Sequence, residues 1–75
     1  PSRLASLLLE LATNKAERIL VEGYTHQDFA EMLGTYRETT TQTLNQFKHQ
    51  GWIDIQRKHI QVLNPPALVQ LSKNA

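Results

Sequence analysis

Leu4, Leu7, Leu8 and Leu11 stand at i, i+3, i+4 and i+7, a spacing that places them on one helix face, and Leu9 widens that face. The pattern predicts an amphipathic helix over 2–13, broken at Asn14, with apolar width to spare for a partner surface. A short alternation around Ile19 and Val21 predicts a strand over 18–22. Thr25 then offers its hydroxyl as an N-cap, and Asp28, three residues on, holds the capping-box position usually taken by Glu or Gln. Phe29, Ala30 and Leu33 follow at helical spacing, and Gly34 stands where a left-handed residue would stop that helix. Arg37 opens a longer helix, about 36–50, carrying Thr40, Leu44 and Phe47 inward, with Gly51 as its stop. A short helix, a turn near glycine and a longer helix make the helix-turn-helix outline over 25–53.

After Gly51 the period changes to two. Ile53 and Ile55 share one face of a strand, Ile60 and Val62 share one face of the next, and Gln56, Arg57, Lys58 and His59 connect them. This predicts a β-hairpin with a basic tip, a wing, although the Asn-Gly type of turn is missing. Asn64-Pro65-Pro66 stops the strand, because proline cannot donate to a ladder yet fits a helix's first turn. Ala67, Leu68 and Leu71 predict a short closing helix that frays over 72–75. The expected fold is α+β, mainly α. It is a winged helix-turn-helix with a three-helix core, a small antiparallel sheet bearing the wing, and a short C-terminal helix.

Seventy-five residues make one domain over 1–75, and a chain of this size buries roughly 60–65% of its unfolded surface. With no cysteine, disulfides and thiolate metal ligation are excluded, and a reducing compartment is the expected setting. No apolar run approaches the roughly 20 residues that span a bilayer, and no signal peptide is visible, so a cytoplasmic location away from membranes is expected. Because the chain starts at Pro1 already in a helical pattern, it reads as a fragment of a longer protein. The net charge of +1 is unevenly spread. Over 1–34, Arg3, Lys15 and Arg18 face five acidic residues, whereas over 35–59 Arg37, Lys48, Arg57 and Lys58 face only Glu38 and Asp54. Positive charge gathers on the second helix of the motif and the wing, where a phosphate backbone would have to lie.

Stepping 100° per residue sorts that helix into two sides. Thr40, Thr43, Leu44 and Phe47 cluster on one side and are expected in the core. Glu38, Thr41, Gln42, Asn45 and His49 cluster opposite, flanked by Arg37 and Lys48. Guanidinium, carboxylate, hydroxyl and amide groups match base edges in the major groove, so Arg37, Glu38, Thr41, Gln42 and Asn45 are the candidate base readers.

The run Gly34-Thr35-Tyr36-Arg37-Glu38-Thr39 resembles the G-x-S-R-E-T turn in the DNA-binding domain of the Crp/Fnr family of bacterial transcription regulators. The likeness extends in order through Arg3-Leu4-Ala5, Ile19-Leu20-Val21, Thr25-His26-Gln27, Gly51-Trp52-Ile53 and the hairpin. It implies that Arg37 and Glu38, and Gln42 after them, read bases in double-stranded DNA. It also implies that His26, Gln27, Tyr36, Thr39, Arg57 and Lys58 lie near phosphates. Two departures stand out. Tyr36 replaces the usual serine N-cap, which leaves Thr35 as the alternative cap, and Gln42 replaces an arginine, which should move that contact from guanine toward adenine. The resemblance further implies an upstream β-roll that senses a small effector, often a cyclic nucleotide, and a dimerising helix. A homodimer, RNA polymerase as a partner and a nucleoid-associated location follow from it, with no cofactor in this domain.

Two other classes compete with DNA binding. A winged helix used only for protein–protein contact would need an aromatic or aliphatic anchor on its outer face. Tyr36 and Trp52 are the candidates, though both are expected to pack, against the helix turn and the sheet respectively. An enzyme or metal site finds little support. His26, His49 and His59 fall in a turn, a helix end and a hairpin without ligand spacing, and read as exposed surface histidines that could gain charge near phosphate below neutral pH. Neither a glycine-rich phosphate loop nor a nucleophile motif occurs.

Overall fold

The computed structural model describes residues 1–73 and contains four helices and a four-stranded sheet. In chain order the elements are α1 (Ser2–Leu11), β1 (Thr13–Lys15), β2 (Arg18–Glu22), α2 (His26–Leu33), α3 (Arg37–His49), β3 (Ile53–Ile55), β4 (His59–Val62) and α4 (Pro65–Ser72). All strand pairs are antiparallel, in the order β1-β2-β4-β3. The winged helix-turn-helix is thus present, with α2 and α3 as the motif and β3–β4 as the wing. Of the expected fray over 72–75, Ser72 ends α4, Lys73 caps it, and 74–75 lie outside the described residues.

The local chemistry of the motif is as the residues predict. Thr25 Oγ1 accepts from the Asp28 N–H at 3.0 Å, and Asp28 Oδ2 accepts from the Thr25 N–H at 2.7 Å, a complete capping box. Gly34 is left-handed (φ 67°, ψ 36°), and the N–H groups of Gly34 and Thr35 donate to Glu31 and Ala30, closing α2 in a Schellman motif. Gly51 does the same for α3: its N–H and that of Trp52 donate to Lys48 and Phe47, and the Trp52 and Phe47 rings pack with centroids 5.7 Å apart. Asn64 caps α4 by accepting from the Ala67 N–H, with Pro65 and Pro66 in its first turn.

One strand carries no signal in the hydrophobic pattern. The first helix stops at Leu11 rather than Thr13, and Thr13–Lys15 forms β1 against β2, with Asn14 opposite Ile19. Its three side chains are all exposed and polar, so no alternation marks it. The two-residue loop Ala16-Glu17 takes positive φ at both positions (49° and 66°), as a type I′ hairpin turn demands, without the Asn or Gly that usually supplies it. In β2 the burial is also broader than alternation predicts: Leu20 and Val21 are both buried, on opposite faces.

The core joins Leu4, Ala5 and Leu8 of α1, Val21 of β2, Phe29 of α2, Leu44 and Phe47 of α3, Ile53 of β3, Ile60 and Val62 of β4, and Leu68 of α4. The closing helix therefore joins α1, α2 and α3 in the core through Leu68 rather than lying outside it. Cross-strand pairs Ile53–Val62 and Ile55–Ile60 fix the wing's register, so the polar connection 56–59 becomes its tip. The Gln56 N–H donates to the His59 carbonyl at 2.8 Å, which leaves Arg57 and Lys58 outermost.

Candidate nucleic-acid interface

Because Thr40, Leu44 and Phe47 are buried, α3 has one orientation available, and its opposite side faces solvent. Arg37, Glu38, Gln42, Asn45 and His49 are exposed on that side, as the helical projection predicts. Thr43 is half-buried, its hydroxyl donating to the Thr39 carbonyl at 3.0 Å. Arg37, Glu38, Thr41 and Gln42 together line a shallow open depression of about 330 Å³. Asn45 is exposed further along the helix and does not line it.

Beside this face lies a larger cleft of about 450 Å³ between the start of α2, the start of α3 and the wing. His26 and Gln27 line it from α2, Arg37 from α3, and Arg57, Lys58 and His59 from the wing. Among the described residues no carboxylate lines it, so three full cations and two imidazoles share one concave surface. Among those same residues the one ion pair is Lys15–Glu22, on the β1–β2 hairpin, which leaves Arg37, Arg57 and Lys58 without acidic partners. A surface of this sign and shape focuses an attractive field on an anionic polymer. The first turn of α2 adds the positive end of its helix dipole.

Thr41 and His26 depart from the simple projection. Thr41 is half-buried, and its Oγ1 lies 2.9 Å from His26 Nδ1, so the candidate base reader is already hydrogen-bonded within the domain. His26 and His59 are half-buried rather than freely exposed. Burial first, and the positive charge of Arg37 second, hold the His26 pKa below the ordinary imidazole value. Charging His26 in the free protein therefore needs a more acidic medium than an exposed histidine would. Among the described residues no His, Asp or Glu cluster suited to a metal occurs.

Tyr36 and Thr39 also differ from expectation in their surroundings. Tyr36 is the N-cap of α3 in extended conformation, and no side chain caps the helix there. Thr35 does not replace it: no side-chain hydrogen bond caps α3, and the Thr35 N–H donates to the Ala30 carbonyl in closing α2. Rather than packing on the helix turn, the Tyr36 side chain is 81% exposed. Trp52, in contrast, is half-buried on Phe47. Thr39 is exposed but borders a separate small cavity with Arg3, Leu4 and Leu33, away from the cleft. His59 joins the cleft without belonging to the candidate phosphate set. Its parity opposite to Ile60 and Val62 marks it as outward, but its neighbourhood with His26 depends on β2 pairing with β4.

Comparison with known proteins agrees with this geometry. The family model for the Crp-like helix-turn-helix domain matches residues 2–71. A CRP-like cAMP-activated global transcriptional regulator of Mycobacterium tuberculosis is 30% identical over 78 aligned positions, covering 97% of this chain and 35% of that protein. Among solved structures, a CRP/FNR-family transcriptional regulator from Thermus thermophilus superposes with a TM-score of 0.85 at 28% identity, over 96% of this chain and 39% of that one. The CO-dependent transcription factor CooA from Carboxydothermus hydrogenoformans gives 0.84 at 27% identity, over 95% and 35%. The chain thus spans little more than a third of the relatives it matches. It belongs to the Crp-like helix-turn-helix domain family, the DNA-binding part of CRP/FNR transcription regulators.

Proposed function

We propose that this domain binds double-stranded DNA sequence-specifically, with α3 in the major groove and the wing against the phosphate backbone. The observation that carries the reading is the adjacency of two surfaces: a hydrogen-bonding helix face beginning at Arg37 and an acid-free cleft holding Arg37, Arg57 and Lys58. Arg37, Glu38 and Gln42 read bases, with Asn45 extending the contact along the helix and Thr41 contributing its hydroxyl. Arg37 suits guanine O6/N7, Glu38 a cytosine amino group, and Gln42 adenine N6/N7. His26, Gln27, Arg57 and Lys58 hold one phosphate strand across the cleft, while the exposed Tyr36 and Thr39 reach the backbone at the helix start.

In the whole protein this domain would follow an effector-sensing β-roll and a dimerising helix. A two-fold dimer would then place two copies of α3 on half-sites about 34 Å apart. The M. tuberculosis relative is described as cAMP-activated and CooA as CO-dependent, which supports a small effector, a cyclic nucleotide being one class. RNA polymerase as a partner and a cytoplasmic, nucleoid-associated location complete the proposal. Among the described residues no helix is long and apolar enough to cross a membrane.

The test compares two substitutions on a panel of duplexes. Arg37→Ala should cost about 1–3 kcal/mol and relax one base position, whereas Lys58→Ala should weaken every duplex alike and lower the salt slope by about one. Identical behaviour of the two variants on all duplexes would remove the assigned roles. A second reading gives the same face to another protein, and the exposed Tyr36 ring is the anchor that favours it. DNA affinity must fall steeply with salt, whereas association through Tyr36 would not.

A further inference from the structure

His26 sits in the first turn of α2 and Thr41 in the second turn of α3, yet Nδ1 of one lies 2.9 Å from Oγ1 of the other. Thr43, two residues on, donates its hydroxyl to the carbonyl four residues back at 3.0 Å. Among the described residues Thr41 makes no such bond, so its hydroxyl proton is free for the ring. Thr41 also shares the open depression with Arg37, Glu38 and Gln42, the base-reading candidates. We propose that His26 is a positioning residue for Thr41: the ring decides whether the Thr41 hydroxyl meets a duplex as a hydrogen-bond acceptor or as a donor, and so which base edge it favours. The inference rests on the reading that this helix face meets DNA.

The chemistry follows from the hydrogen-bonding inventory of the two groups. With His26 neutral and Nδ1 unprotonated, the Thr41 O–H donates to Nδ1. Only oxygen lone pairs then face outward, and they suit the amino groups of adenine N6 or cytosine N4. When the ring takes up a proton from solvent, both nitrogens carry hydrogen and Nδ1 must donate to Oγ1. The Thr41 proton then rotates outward, where it suits guanine O6/N7 or thymine O4. Arg37 faces the ring from α3, Arg57, Lys58 and His59 from the wing, and Tyr24 from the preceding loop. On its own helix the nearest acid is Asp28, engaged in the capping box. The ring's burial, and after it the charge of Arg37, oppose protonation in the free domain. Phosphates entering the cleft would offset them and move proton uptake toward neutral pH.

The test has two arms. Nitrogen-15 NMR of the His26 ring in the free chain should find Nδ1 unprotonated at pH 8. Selection from random duplexes at pH 6 and pH 8, at fixed ionic strength, should shift the wild-type base distribution by about threefold or more at one position, the scale of a single hydrogen bond. His26→Gln, whose amide does not titrate, and Thr41→Val should each abolish the shift, and each should bind DNA more weakly than wild type because both residues belong to the proposed interface. A protonated Nδ1 at pH 8, an unchanged wild-type distribution, or a shift retained in Thr41→Val would overturn the proposal. So would a uniform gain on all sequences at pH 6, which would confine His26 to phosphate. Loss of all sequence selection by the wild type at both pH values is a separate failure, because it removes the DNA reading itself.

Discussion

Thr40 offers the sharpest test of how this domain is held together. Its side chain is 2% exposed on the inner face of α3, and its Oγ1 has no hydrogen-bond partner among the described residues. A buried hydroxyl without a partner keeps its full desolvation cost, about 1–3 kcal/mol. Valine has nearly the same shape and the same branching at Cβ, so Thr40→Val removes that cost with little change in helix propensity or packing. The lower end of the range is the safer expectation, because the new methyl must fit a site shaped for oxygen. Thr40→Val should therefore gain about 1 kcal/mol, which for a domain of this size raises Tm by roughly 4–8 °C. Thr40→Ser makes the opposite change, keeping the hydroxyl and deleting a buried methyl, and should lose about 1 kcal/mol. Urea denaturation followed by circular dichroism at 222 nm measures both on one scale. If valine proves less stable than threonine by about 1 kcal/mol or more, the hydroxyl is engaged after all, by a helix carbonyl or an ordered water.

Three further outcomes follow from particular residues. Gly34→Ala places a Cβ in open space but at φ +67°, so its cost is conformational, about 1–2 kcal/mol, and Gly34→Asn should cost less; equal stability of the alanine variant would show that the left-handed stop is dispensable. Replacing Ala16-Glu17 by Asn-Gly suits the two positive φ values and should stabilise by about 1 kcal/mol in thermal denaturation, and a loss would mean the turn is not of the type I′ form. Folding lowers the His26 pKa from 6.5, so the unfolded chain binds that proton more readily. His26 therefore contributes stability that is full above about pH 6.5 and is lost as pH falls through the lowered folded value. Between pH 7.5 and 5 the urea midpoint should fall further for wild type than for His26→Gln; equal falls would refute the linkage.

Some elements of this domain can be read residue by residue, and others cannot. The capping box at Thr25 and Asp28, the stops at Gly34 and Gly51, and the Pro65-Pro66 helix start involve partners within five residues, so the chain states them directly. The outer face of α3 is legible because Leu44 and Phe47 leave only one way to bury it. Strand β1 is not, since three exposed polar residues carry no periodic signal and gain their place only by pairing with β2. Tyr36 runs against expectation for a related reason: a large aromatic is expected to seek cover, but here its backbone serves as the helix cap and the fold provides no wall beside the ring.

By itself, then, the sequence determined the order of the helices and of three strands, most of their ends, and which side of α3 faces outward, because short-range hydrogen bonds and side-chain periods suffice for these. Only the tertiary structure decided that His26 meets Thr41 across fifteen residues, and that residues from two helices and a wing close around one acid-free cleft. Those proximities are set by how α2 and α3 cross and how β2 pairs with β4. No local spacing encodes such distances, because they come from the shared core on which all these elements pack.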